Sequence, residues 1–152
     1  MTGAHACEKS STTVIEFMLN NKKKILLADD DADDRGIFEQ ILQEKTDVEL
    51  LATVENGLEL IDFLETASGK QGLPDLIILD HNMPRMNGRQ TLGFLKSSDR
   101  YTHIPVIVYS TNGDGKLAEE CASLGASMVA SKPAGYDEYE EMINRFLTLI
   151  AV

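Results

Sequence analysis

The stretch Leu76-Ile77-Ile78-Leu79-Asp80-His81-Asn82-Met83-Pro84-Arg85-Met86-Asn87-Gly88 decides how this chain folds. Four aliphatic residues in a row, with Pro74 before them and a loop of Pro, Asn and Gly after, make a run too short for a helix. An apolar run without alternation is the pattern of a strand buried on both faces, as in a parallel sheet. Its last residue, Asp80, is then a carboxylate at the C-terminal rim of the sheet, where open α/β folds place their sites. Two companions give it meaning. Asp29-Asp30 follow the run Ile25-Leu26-Leu27-Ala28, and Lys132 lies beyond a later apolar run.

Outward from this stretch the chain alternates strand and helix patterns. Strands are expected near 25–29, 48–54, 75–79, 105–109 and 127–130. Between them Ile37, Phe38, Ile41 and Leu42 recur at helical spacing, as do Leu58, Ile61 and Leu64. Leu92 and Leu95 follow Gly88, and a last helix carries Tyr139, Met142, Ile143, Phe146 and Ile150. Asp33 and Asp34 sit where a first helical turn favours negative charge. Pro105 suits the opening of a strand, and Gly125 the end of a helix. Five strands alternating with five helices imply a parallel α/β sheet with right-handed crossovers. Residues 1–21 are Ser/Thr-rich and without period, and are read as a mobile leader. Residues 22–152, opening on Lys22-Lys23-Lys24, are read as one domain.

With 152 residues and 43% hydrophobic composition, the chain has material for one good core and hardly two. Its formal charge of -11 argues against a nucleic-acid partner, because phosphate backbones demand Lys/Arg surfaces. No apolar stretch approaches the length needed to cross a bilayer, so no membrane insertion is expected. Glu16 interrupts the one apolar segment near the N-terminus, which lacks the pattern of a signal peptide. Cys7 and Cys121 are far apart and match no ligand spacing. Cys121 shares a helical face with Leu117 and Leu124, which predicts a buried free thiol and fits a reducing cytoplasm.

In a parallel sheet all strand C-termini share one edge. Asp29, Asp30, Asp80, Ser110 and the loop holding Lys132 therefore converge there. Carboxylates brought together raise each other's proton affinity unless a cation joins them. Mg²⁺ suits the cluster, being hard, oxygen-seeking and content with a few carboxylates plus waters. A calcium loop of the EF-hand type fails on spacing. Counted from Asp29, the sixth position is Asp34 where Gly is needed, and the twelfth is Gln40 rather than Glu. Counted from Asp31, Gly36 fits but Leu42 falls at the twelfth position. A carboxylate beside Mg²⁺ and a fixed ammonium is arranged to receive a phosphoryl group, a transfer that needs in-line positioning and charge neutralisation. Asp80 takes the role of nucleophile, Lys132 that of second positive charge, and Ser110 that of hydroxyl donor. Pro133 restricts the backbone of Lys132 toward extended forms.

As an ordered set these elements resemble the receiver domains of two-component response regulators. The matching stretches are Ile25 to Asp30, Leu79 to Gly88, Ile104-Pro105-Val106-Ile107-Val108-Tyr109-Ser110, and Gly125-Ala126 on to Lys132-Pro133. The resemblance spans about residues 23–150. It implies a flavodoxin-like three-layer αβα fold, with five parallel strands in order 2-1-3-4-5 and five helices. It also implies that Asp80 takes a phosphoryl group from the phosphohistidine of a sensor histidine kinase or histidine phosphotransfer protein. Mg²⁺ would be held by Asp30, Asp80 and the backbone carbonyl of Asn82, with Asp29 acting mainly through metal-bound water. Such a protein is a phosphoacceptor rather than an enzyme, with self-catalysed gain and loss of phosphate at Asp80. The implied type is a stand-alone receiver in the cytoplasm that docks on a downstream protein or passes the phosphoryl group along a relay. It would be a monomer or a weak dimer.

Three positions depart from the family pattern. Val129 stands where an aromatic usually precedes the lysine by three, Ala134 where Phe commonly follows Lys-Pro, and Thr111 where Ala or Gly is favoured. Tyr109, in a strand, and Tyr136, opening a helix, are read first as packing residues. His81 should point away from Asp80, Met83 and Met86 are read as loop packing, and Asp137, Glu138, Glu140 and Glu141 as a wet helix face. Two rival functions are weighed. A phosphatase of the haloacid dehalogenase type needs a second Asp two residues after the nucleophile, where Asn82 stands. A receiver-like interaction module that is never phosphorylated is the alternative left open by Val129 and Ala134.

Overall fold

The computed structural model describes residues 21–67, 72–111 and 115–151. Nearly all of the expected leader, residues 1–20, and Cys7 with it, lies outside the described residues. Strands β1 (Lys23–Ala28), β2 (Val48–Val54), β3 (Leu76–Asp80), β4 (Val106–Ser110) and β5 (Met128–Ser131) alternate with helices α1 (Ala32–Gln43), α2 (Gly57–Ala67), α3 (Gly88–Ser97), α4 (Gly115–Leu124) and α5 (Tyr136–Leu147). The strands form one parallel sheet in the order β2-β1-β3-β4-β5. This is the flavodoxin-like arrangement expected from the sequence.

The period of two along each strand divides the core into two layers. Ile25, Leu27, Leu76, Ile78, Ile107 and Tyr109 face α1 and α5, where they meet Phe38, Ile41, Leu42, Tyr139, Met142, Ile143 and Phe146. Leu26, Ala28, Ile77, Leu79, Val106 and Val108 face the other way, against Leu60 and Leu64 of α2, Leu92 and Leu95 of α3, and Leu117 and Cys121 of α4. Every residue of β3 and β4 is buried, which is why neither strand alternates in sequence. Cys121 is a buried free thiol, as its helical face implies.

Several boundaries and one helical face differ from the sequence reading. β1 starts at Lys23 because Lys23 and Lys24 pair with Val48 and Glu49; the backbone ladder accepts charged residues whose stems are half-buried. The last three strands end one residue later than expected, so that Asp80 and Ser110 belong to the ladder itself. In α2 the buried stripe is Leu60 and Leu64, while Leu58 is 50% exposed. The phase is set at the helix start, where the Asn56 side chain accepts from the Glu59 N–H and the Gly57 N–H donates to the Met86 carbonyl. Ile150 lies beyond α5 but still packs on its core layer.

The loop after β3 returns tightly to open α3. Asn87 caps that helix by accepting from the Gln90 N–H, and the Gln90 side chain accepts from the Asn87 N–H. Gly88 lies so close to the end of β3 that a Cβ there would stand 2.6 Å from the Asp80 carbonyl oxygen. Only glycine permits that approach. At the end of α4, Gly125 takes φ 105°, the left-handed backbone of a helix stop.

Candidate functional site

The strand alternation that builds the core also aims the site. Asp29 continues the parity of Ile25 and Leu27, and Asp80 that of Leu76 and Ile78, so both carboxylates emerge on the α1/α5 face of the rim. Tyr109 is the register partner of Asp80 and shares that face. Asp29 and Asp80 are buried, with 0% and 1% of their surface exposed, whereas Asp30 is open to solvent. One oxygen from each of Asp29, Asp30 and Asp80 lies within 4.8 Å of the others. Two buried carboxylates beside a solvent-facing one offer a hard cation oxygen ligands and leave room for waters.

Lys132 reaches this cluster from the loop after β5, where its N–H donates to the Ser110 carbonyl. Its ammonium is 3.2 Å from Asp80 Oδ2, 3.2 Å from Asp29 Oδ2 and 2.7 Å from Asp34 Oδ2. It also lies over the Tyr109 ring, 4.9 Å from the centroid. The other oxygen of Asp80 accepts the Asn82 N–H at 3.1 Å, which fixes the carboxylate plane. The Asn82 amide donates to Ser110 Oγ at 3.2 Å and to Thr111 Oγ1 at 3.4 Å. Asp29 Oδ1 accepts the Asp31 N–H, and Asp31 in turn caps α1 by accepting from the Asp33 N–H.

Burial, then the charge of Asp29, pushes the Asp80 carboxyl up to about 7, against the opposing pull of Lys132 and the Asn82 N–H. Burial alone would lower the pKa of Lys132. The hydrogen bond to Asp34 and the charges of Asp29 and Asp80 outweigh it, so the ammonium is held more firmly than an ordinary lysine. One ammonium among three carboxylates leaves surplus negative charge, and that surplus is what a divalent cation would neutralise.

The residues singled out in the sequence thus meet at one edge: Asp29, Asp30, Asp80, Ser110 and Lys132, with Asn82 beside them. The sequence reading missed two participants and undervalued a third. Asp34, which the sequence places only in a helical first turn, is the nearest partner of Lys132. Tyr139, whose spacing marks it as core, also donates its hydroxyl to Asp34 Oδ1 at 2.7 Å. Tyr109 does pack, edge-on against Phe38 at 5.6 Å, but its hydroxyl also donates to Asp29 Oδ2. Tyr136, read with it as packing, is instead 38% exposed. A signal for Tyr109 was available, because a residue paired with Asp80 in a parallel ladder must point the same way.

The model of the response regulator receiver domain matches residues 25–144. The chain belongs to that family. Among solved structures, the receiver fold is shared with a phosphorylated cyanobacterial phytochrome response regulator, RcpA, at 28% identity and a TM-score of 0.76, covering 86% of this chain and 97% of that one. It is shared too with the Mn²⁺-bound form of the response regulator Rcp1, at 26% identity and a TM-score of 0.73, covering 83% and 92%. A protein-glutamate methylesterase/protein-glutamine glutaminase of Methanococcoides burtonii is 31% identical over 118 residues, 76% of this chain. The chain spans about a third of that relative's length, as it does for the next curated relatives, so the esterase name describes a longer protein.

Receiver domains are signalling modules of two-component systems, and this one carries the acidic cluster at the rim. In this receiver the two departures near β5 are real in space: Val129 is half-buried against the α2–α4 layer, and Ala134 is exposed. No helix among the described residues is long and apolar enough to cross a membrane.

Proposed function

We propose that this receiver accepts a phosphoryl group on Asp80 from the phosphohistidine of a sensor kinase or a histidine phosphotransfer protein. An Asp80 oxygen forms the new P–O bond as the P–N bond to the donor imidazole breaks, and the imidazole leaves with the bonding pair. The single observation that supports this most is Asp80 itself: a buried carboxylate at a strand end, 3.2 Å from a lysine that two other carboxylates hold in place. Lys132 balances charge on the incoming oxygens, Ser110 donates its hydroxyl, and the Asn82 N–H keeps the nucleophile oriented. Asp29, Asp30, Asp80 and the Asn82 carbonyl would hold Mg²⁺, which supplies charge neutralisation on the transferring group. The phosphorylated domain then signals by docking on a downstream protein or by passing the group on, from the cytoplasm and as a monomer or weak dimer.

The test is direct. Incubated with Mg²⁺ and acetyl phosphate, the protein should gain an acid-stable, base-labile phosphate detectable by mass spectrometry, and Asp80→Asn should not. No gain by the wild type, or an equal gain by Asp80→Asn, would sink the proposal and favour a receiver-like interaction module.

A further inference from the structure

Lys132 is not aimed at Asp80 alone. Its shortest contact is Asp34 at 2.7 Å, and Asp34 belongs to α1 rather than to the sheet rim. The second oxygen of Asp34 accepts the hydroxyl of Tyr139, a residue of α5 that is 4% exposed. Phe38 stands between the two tyrosines, edge-on to Tyr109 at 5.6 Å and to Tyr139 at 6.1 Å. Tyr109 in turn holds Asp29, the other carboxylate on Lys132. The ammonium is therefore held by two carboxylates besides Asp80, each fixed by a tyrosine hydroxyl.

This geometry makes Asp34 a competitor of Asp80 for one cation. A phosphoryl group on Asp80 would replace its single carboxylate charge by up to two charges spread over the phosphoryl oxygens, while Asp34 offers one carboxylate that is partly open to water, its side chain 15% exposed. An ammonium has three donors and one position, so a stronger pull from Asp80 must weaken its hold on Asp34. We propose that Asp34 and Tyr139 are positioning residues that park Lys132. Phosphorylation of Asp80 draws the ammonium off Asp34 and so alters the Tyr139 hydroxyl contact of α5. α5 would then learn the state of Asp80 through a hydrogen bond, with no need for the aromatic that Val129 replaces. The inference rests on Asp80 being the phosphoacceptor.

The experiment uses the full chain labelled with 3-fluorotyrosine, titrated with beryllofluoride and Mg²⁺ as a stable mimic of the phosphoryl group. The chain has four tyrosines, and Tyr139→Phe assigns the resonance. The Tyr139 signal should move with the titration in the wild type. Asp34→Asn, which keeps the shape and removes the competing charge, should bind the mimic about tenfold more tightly, the scale of one charge-assisted hydrogen bond. Tyr139→Phe, which keeps the packing ring, should shift the midpoint in the same direction but less. A merely structural role would leave both midpoints where they are. Saturation in the wild type with an unmoved Tyr139 signal, or with the same midpoint in Asp34→Asn, overturns the inference while leaving the phosphoacceptor reading intact. A wild type that binds no mimic at all overturns both.

Discussion

Replacing Asp80 by Asn should stabilise the metal-free protein, and the amount should depend on pH. Burial and the charge of Asp29 raise the Asp80 carboxyl from its ordinary 3.8 to about 7. Between those values the folded protein binds the proton more tightly than the unfolded chain does, so stability falls as pH rises through that window. Integrated across it, the cost of keeping Asp80 ionised reaches roughly 4 kcal/mol above pH 7 and about half a kcal/mol near pH 4. Asn keeps the shape and can still accept the Asn82 N–H. The loss of Asp80 leaves Lys132 paired with Asp29 and Asp34, so no ammonium is stranded. Urea unfolding followed by far-UV circular dichroism is the suitable assay, since the chain has no tryptophan. With EDTA present, Asp80→Asn should exceed the wild type by a few kcal/mol at pH 8, and the gap should close toward pH 4. Adding Mg²⁺ at about 100 times its Kd should return roughly 2.7 kcal/mol to the wild type and less to the variant. A gap of zero at pH 8, or one equally large at pH 5 and pH 8, would refute the electrostatic reasoning.

Three further substitutions near Asp80 have definite expected outcomes. In Gly88→Ala the new methyl meets the Asp80 carbonyl oxygen at 2.6 Å and the His81 Cα at 2.8 Å, both main-chain atoms that cannot swing aside. The urea midpoint should fall by the equivalent of ~1–3 kcal/mol, whereas Gly93→Ala in the middle of α3, with nothing within 4 Å of its Cβ, should gain about 0.5–1 kcal/mol. Thr111 is exposed, and its hydroxyl lies 3.4 Å from the Asn82 amide that also holds Ser110. Thr111→Ala should open the approach to Asp80 and speed loss of the phosphoryl group several-fold after the donor is removed; an unchanged decay rate would take Thr111 out of the account.

How much of this was legible in the sequence depends on the range over which each residue acts. β3 and β4 announced themselves because a strand buried on both faces has no polar residue to break the run, and their ends fixed where Asp80 and Ser110 would lie. Asp29, Asp30 and Lys132 followed, since topology alone brings strand ends to one rim. Asp34 was hidden for the opposite reason. It is a helix residue 98 positions from the lysine it binds, and its local setting, an acidic first turn, already had a sufficient explanation. Tyr139 was hidden in the same way, because its ring completes the stripe of Met142, Ile143 and Phe146 and periodicity cannot see a hydroxyl. Hydrophobic pattern therefore locates the rim but not the partners that share its cation. For Tyr109 and Tyr139 such partners are recoverable by asking where each buried hydroxyl goes, since most buried O–H groups find an acceptor, although the buried Tyr101 hydroxyl has none among the described residues. Applied to Tyr109, whose parity with Asp80 is fixed by the ladder, that question leads to the rim carboxylates; applied to Tyr139, it leads to an acid on a neighbouring helix. The readout left open by Val129 thus has physical candidates in the two tyrosines whose polar ends the packing pattern conceals.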